Sequence, residues 1–192
     1  MSDPLIESKQ VLRALTRARV AGVSSEYRAA AAAQVVVSLA SRPEWARASS
    51  VLLFAPLPDE LDMWPLVELA LMAGKSVALL AFVPGSNCYV ARQIVDVTRD
   101  VVVGKFGVRE PASACVEVPL NQLDLVLVPG IAFDARGGRL GRGKGFYDRL
   151  LAGVRGTKCG VAFDEQLVDA VPVGPHDIRL NCILTPTRWI ET

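Results

Sequence analysis

The feature that most restricts the fold is a recurrence that begins at residue 51. Short apolar runs, each bounded by turn residues, occur at 51–55 (VLLFA), 76–82, 123–128, 159–163 and 182–185, with stretches of helical spacing between several of them. Runs that are apolar throughout, without alternation, mark strands buried on both faces. Strands of that kind interleaved with helices predict an α/β fold: a single three-layer α/β/α domain with a mainly parallel central sheet, Rossmann-like. Helices are expected at 63–73 and near 146–153. Residues 88–103 alternate more and are read as an antiparallel hairpin or an edge addition, and 182–185 as the last strand.

Upstream of the sheet, Val11, Leu12, Leu15 and Val20 fall at helical spacing within about residues 7–20, while Lys9, Arg13 and Arg17 recur every fourth residue on another face. That predicts an amphipathic helix with a basic stripe. A second helix is expected from a cap at Ser24 or Ser25 through the alanine-rich run to Ala40, closed by Pro43 and the polar stretch to Ser50. No internal repeat or linker divides the chain, so residues 1–192 are read as one domain. With 192 residues and 51% hydrophobic content, a chain of this size buries roughly 70% of its unfolded surface and needs neither disulfides nor structural metal.

Lys and Arg number 21 against 20 Asp and Glu, a net charge of +1. So even a balance argues against coating nucleic acid or an anionic membrane, and any basic function must be local. The single histidine, His176, excludes multi-histidine zinc and iron sites, leaving oxygen as the donor for any metal. Cys88, Cys115, Cys159 and Cys182 lie far apart without a CxxC pair and are expected to be reduced core thiols. The start MSDPLIESKQ lacks the cationic head and apolar run of a signal peptide, and no apolar stretch reaches the roughly 18 residues of a membrane helix. A cytoplasmic location and a monomer are the expectations.

Chemistry concentrates in residues 129–151, PGIAFDARGGRLGRGKGFYDRLL. A strand, a glycine-rich loop and a helix in that order present backbone N–H groups and a helix start to an anion. Gly137, Gly138, Gly141, Gly143 and Gly145 permit close approach of a ligand, and Arg136, Arg139, Arg142 and Lys144 supply positive charge. Phosphate is the natural guest. The spacing from Gly138 to Lys144 satisfies GxxxxGK, yet Gly145 stands where a P-loop needs Ser or Thr for magnesium, so an ordinary P-loop is excluded. Asp148 is the nearest replacement. The plainer readings are a solvated turn or an RNA-binding segment, but the latter is normally disordered and not held between a buried strand and an aromatic helix start.

This segment resembles the signature of the 5-formyltetrahydrofolate cyclo-ligase family, in which RLGxGxG is followed by an aromatic residue, Tyr and Asp. The likeness extends to Lys9 and Arg13, to Pro58-Asp59-Glu60 after the first strand, and to the Gly74-Lys75 turn. It continues through Phe106-Gly107-Val108-Arg109-Glu110-Pro111, Ala162-Phe163 with Gln166, Val171-Pro172, and His176-Asp177 before a strand ending Leu184-Thr185. The resemblance implies an ATP- and magnesium-dependent closure of 5-formyltetrahydrofolate to 5,10-methenyltetrahydrofolate with release of ADP and phosphate. The substrates are then small molecules, with neither nucleic acid nor membrane as partner.

Carried over residue by residue, the resemblance assigns ATP contacts to Lys9, Arg13, Arg139, Gly141, Arg142, Gly143, Lys144, Gly145, Phe146 and Tyr147. Arg142 and Lys144 become the catalytic cations. Folate contacts fall on Ala55, Glu60, Arg142, Gly143, Lys144, Gly145 and Phe146, and the metal on Asp148 and Asp177. From spacing alone, Lys9 and Arg13 would be a solvated helix face, Asp148 a helix-dipole charge, Asp177 a turn residue, Glu60 a cap and Ala55 simple packing. Trp45, Trp64 and Trp189 are candidates to stack on a pterin, although tryptophan is more often a core residue. Phe146 stands where the family usually has tyrosine, and Asn181 where many members have aspartate. Two alternatives stand beside the cyclo-ligase: a relative that binds ATP with altered or lost folate specificity, and a nucleic-acid-binding module.

Overall fold

The computed structural model describes residues 4–104 and 107–192; Phe106, one residue of the motif noted above, lies outside them. Helices α1 (Pro4–Ala21), α2 (Ser25–Ala40) and α3 (Pro43–Arg47) precede strand β1 (Ser50–Leu52) and helix α4 (Trp64–Met72). Then follow β2 (Ser76–Val83), β3 (Cys88–Ile94), α5 (Val97–Asp100), β4 (Val101–Val103), β5 (Arg109–Pro111) and β6 (Leu125–Val128). The chain finishes with β7 (Ala132–Phe133), β8 (Arg139–Leu140), α6 (Phe146–Leu151), β9 (Thr157–Val161), β10 (Cys182–Leu184) and β11 (Trp189–Glu191).

The central sheet has seven strands in the order β11-β10-β9-β6-β1-β2-β3. It is parallel from β10 through β2, with β11 and β3 added antiparallel at the two edges. Period-2 geometry divides its residues between two cores. Leu125 and Leu127 join α2 and α4 on one face, while Val126 and Val128 join Leu150 and Leu151 of α6 on the other. The chain is thus a three-layer α/β/α structure with a mainly parallel sheet, as the apolar runs predict. Residues 88–94 are the edge addition, in register from Val77↔Ile94 to Val83↔Cys88.

Four local expectations need correction. The second helix does end at Ala40, but the stretch after it carries an unexpected short helix, α3, which Pro43 opens because the first helical position has no use for the missing N–H. The strand at 182–184 is not the last: Thr185 N–H bonds Arg188 O at 2.9 Å and the chain returns as β11. The cysteines are free, but only Cys159 and Cys182, opposite each other in β9 and β10, are buried.

The fourth correction concerns α1. Its buried residues are Thr16 and Val20, with Leu5, Lys9, Leu12 and Arg13 partly covered beside them, while Val11 and Leu15 are 55% and 54% exposed. Lys9 and Arg13 of the basic stripe therefore turn inward, Arg17 stays exposed, and two aliphatic residues turn outward. That is the reverse of what burial alone would select.

Candidate active site

Open α/β sheets bind ligands beyond the carboxyl ends of their parallel strands. Here that edge carries the loop after β1 with Asp59 and Glu60, the Gly130-Ile131 turn after β6, and Gln166 after β9. Gln166 ties two of these together. Its amide accepts from Phe163 N–H at 2.8 Å and donates to Gly130 O at 2.7 Å and Ile131 O at 3.1 Å.

The glycine-rich segment is two structures, not one loop. Its first half is the β7–β8 hairpin, whose turn is held by the buried Asp134 carboxylate accepting from Arg136 N–H, Gly138 N–H and Val171 N–H at 2.9, 3.0 and 2.7 Å. Burial pushes that carboxyl up, but the three N–H donors outweigh it and hold it below the usual range. Only residues 141–145 form the loop entering α6. Gly143 and Gly145 have φ of +97° and +63°, a left-handed region that L-residues adopt only with strain. A Cβ at Gly143 would also touch the Arg13 guanidinium.

Helix α1 lies against this loop. Arg13 Nε donates to Gly141 O at 2.9 Å, and Lys9 Nζ meets Asp177 Oδ2 at 2.5 Å. Asp177 also accepts from Gly174 N–H at 2.6 Å. Desolvation raises the Asp177 carboxyl, yet the Gly174 and Lys9 bonds prevail and lower it. Arg139 is 6% exposed and turned onto Asp148 Oδ1 at 3.1 Å, its guanidinium 5.4 Å from the Tyr147 ring centre. Asp148 also accepts from the N–H of Ile178, the residue after Asp177, at 3.4 Å. Lys9, Arg13, Arg139, Asp148 and Asp177 thus form one cluster.

A second ionic link joins the glycine loop to the loop after β1. Arg142 meets Asp59 Oδ1 at 2.6 Å and Glu60 Oε1 at 3.2 Å, and Glu60 Oε2 accepts from Leu57 N–H at 3.0 Å. Burial raises the Glu60 carboxyl despite these partners. Lys144 is exposed at the loop tip. Phe146 contacts an aromatic pair that sequence reading missed: Tyr89 at 5.1 Å and Phe82 at 6.3 Å between ring centres, in edge-on geometry. Phe82 and Tyr89 are cross-strand partners, a pairing readable from the Pro84–Asn87 turn between two apolar runs. Desolvation pushes the Tyr147 phenol strongly upward, so it remains protonated.

Other candidates fall outside this cluster. Trp45 is buried under Lys75, Trp64 carries Arg109 on its ring at 3.3 Å, and Trp189 carries Arg42 at 4.5 Å. Ala55 is partly exposed just beyond β1. Asn181 bonds Lys158 N–H through its side chain at 2.9 Å, a strand-tying role. Among the described residues no group of three or more His, Cys, Asp or Glu is spaced to hold a metal ion, and no helix is long and apolar enough to cross a membrane.

A three-layer α/β protein with a cation-lined glycine loop at the carboxyl edge of its sheet is, as a class, built to receive anions. The model of the 5-formyltetrahydrofolate cyclo-ligase family matches residues 5–186, and the chain belongs to that family. It is 35% identical over 162 residues to the 5-formyltetrahydrofolate cyclo-ligase of Escherichia coli strain K12, covering 82% of this chain and 89% of that one. It is 26% identical to the probable 5-formyltetrahydrofolate cyclo-ligase of Schizosaccharomyces pombe, over 95% and 97% of the two chains. The solved 5,10-methenyltetrahydrofolate synthetase of Aquifex aeolicus superposes with a TM-score of 0.86 at 33% identity, over 95% of this chain and 92% of that one.

Proposed function

We propose that this chain is an ATP-dependent 5-formyltetrahydrofolate cyclo-ligase. The observation that carries the reading is the inward-turned basic stripe of α1, Lys9 and Arg13, set against a glycine loop in a chain that matches the family nearly end to end. A formamide oxygen is a poor leaving group. Transfer of the γ-phosphoryl of ATP to it breaks the bond to the β-phosphate oxygen, frees ADP and leaves an iminium-like carbon bearing phosphate. N10 of the folate then attacks that carbon, the C–N bond forms, the C–O bond breaks, and phosphate leaves as N10 gives up its proton. No side-chain nucleophile is needed; alignment and neutralisation of oxygens in flight suffice.

The chain's residues suit those tasks. Lys9, Arg13 and the N–H groups of residues 141–145 bind the phosphates, while Arg142 and Lys144 face the transferring group. Glu60 accepts from pterin N–H groups, with Ala55 and Phe146 on the folate side, and the Phe82–Tyr89–Phe146 cluster offers the ring edges a flat heterocycle packs on. Phe146 brings no hydroxyl, so contact there is apolar.

Asp148 and Asp177 are both carboxylates, the oxygen donors magnesium takes, and they lie on adjoining segments, so they fit a magnesium ion that arrives with the nucleotide, although Arg139 and Lys9 now hold their oxygens. Magnesium keeps several waters and needs only one or two protein carboxylates. When bound, it would neutralise phosphate oxygens. Loss of Lys9 from Asp177 to the phosphates would free that carboxylate for it.

The experiment mixes the protein with 5-formyltetrahydrofolate and Mg-ATP and follows the methenyl-folate absorbance together with ADP. One ADP per methenyl-folate is expected. A protein that binds ATP but leaves the formyl folate unchanged over hours would instead be a relative with altered folate specificity.

A further inference from the structure

Strand β1 is shorter than the strand it pairs with. It accompanies β2 from Ser76 to Ala78, and Leu53 N–H adds a bond to Ala78 O at 3.0 Å, whereas β2 runs on to Val83. Past Ala78 one side of β2 stays paired with β3, and the other faces the space beyond the end of β1. Backbone groups alternate along a strand, so Phe82 directs its N–H to the same side as Ala78, the β1 side. A side chain meets it there: Glu110 of β5 accepts from Phe82 N–H through Oε2 at 3.2 Å. Phe82 is buried, and a buried N–H without an acceptor is costly. Glu110 thus stands in for the length of strand that β1 does not supply.

Glu110 is itself held in place. Its carboxylate lies over the bare Cα of Gly104, where a Cβ would collide with the carboxyl carbon. Its neighbours on β5 are fixed as well, Arg109 on the Trp64 ring at 3.3 Å and Pro111 in a buried position. Phe82 in turn stands 5.3 Å from Tyr89 and 6.3 Å from Phe146 between ring centres. Burial raises the Tyr89 phenol and the Glu110 charge raises it further, as a carboxylate beside this ring cluster must. We infer that Glu110 is a positioning residue for the folate: by capping the open edge of β2 at Phe82, it fixes the three rings on which the heterocycle packs. The inference rests on the cyclo-ligase reading above, which gives that cluster its ligand. An accepting oxygen is all the role demands, so the charge is dispensable, and Gly104 matters because it leaves Glu110 its seat.

The test measures binding of 5-formyltetrahydrofolate to the whole protein by calorimetry, alongside the Michaelis constants for folate and ATP. Glu110→Ala should weaken folate binding about tenfold, the worth of one buried hydrogen bond. The folate Michaelis constant should rise to match, with kcat and the ATP Michaelis constant within twofold. Glu110→Gln keeps a carbonyl acceptor and should stay within twofold of wild type. Gly104→Ala leaves Glu110 unaltered but takes its seat, and should reproduce Glu110→Ala. A lowered melting temperature in the two alanine variants with folate binding unchanged would overturn the inference and make Glu110 a structural tie only. A glutamine variant as weak as Glu110→Ala, or equal weakening of folate and ATP, would overturn it too. Wild-type protein that binds the formyl folate without cyclising it would overturn the cyclo-ligase reading alone, the calorimetry of the three variants still deciding the role of Glu110. Wild-type protein that binds no formyl folate would overturn both.

Discussion

Arg142 and Glu60, both candidates for the site, hold each other across two loops. Arg142 is neutralised by Asp59 and Glu60, so each group the proposed reaction calls on is held by the other. Among the described residues no carboxylate pairs with Lys144, which is exposed. Lys144→Ala should therefore cut turnover at least about a hundredfold, since a fixed charge on a developing oxyanion is worth about 3 kcal/mol; a loss below threefold would place Lys144 outside the reaction. Glu60→Ala should raise the Michaelis constant for folate with little effect on that for ATP, because a carboxylate accepts from pterin N–H groups and only repels phosphates. Equal weakening of both substrates would indicate a folding defect. Steady-state kinetics at varied folate and varied ATP separates these outcomes.

At the scale of elements, the β7–β8 hairpin and helix α1 frame the anion loop for different reasons. The hairpin depends on Asp134, whose carboxyl is held low in the fold by three N–H donors despite burial. A carboxyl lowered on folding contributes stability above its unfolded value of about 3.9 and loses it as pH falls through the lower folded value. Asp134→Ala should cost about 3 kcal/mol at pH 7, with the deficit narrowing below about pH 4, as measured by denaturant unfolding at pH 7 and pH 3. Asp148 and Asp177 join α6 to the segment before β10. Asp148→Asn and Asp177→Asn should lower turnover and shift the magnesium requirement upward. Their apo-stability should stay within about 1 kcal/mol, since each is partly exposed. An unchanged magnesium titration would remove both from the metal's neighbourhood.

These elements also mark the limits of sequence reading. The hairpin was hidden inside a glycine-rich stretch because its strands are two residues each, too short for any periodicity to register. The inward turn of α1 was illegible for the opposite reason. Its aliphatic and basic residues both keep helical spacing, and periodicity normally assigns the aliphatic face to the core. Only the partners across the interface, Asp177 and Gly141, decide the matter, and they lie 168 and 128 residues away.

For the whole molecule, the parallel sheet was readable because its strands are buried on both faces, a state that leaves a continuous apolar run in the sequence. The two edge additions were less so: β3 alternates and β11 is three residues long. The glycine-rich motif stood out because its glycines, arginines and Asp148 lie close together in sequence. The seat of Glu110 did not, since its partner Phe82 lies 28 residues away and no local pattern records an open strand edge. In the proposed reading, α1 and residues 141–145 meet where the phosphates would lie, and Glu60 reaches the same loop through Arg142.

The central claim is that the formyl oxygen is phosphorylated on the way to ring closure. The most direct measurement uses 5-formyltetrahydrofolate carrying oxygen-18 in its formyl group, with unlabelled Mg-ATP and water, and determines by mass spectrometry where the label ends. The account predicts one oxygen-18 in each inorganic phosphate released and none above background in water. Phosphate free of label, with the heavy oxygen in water, would contradict it.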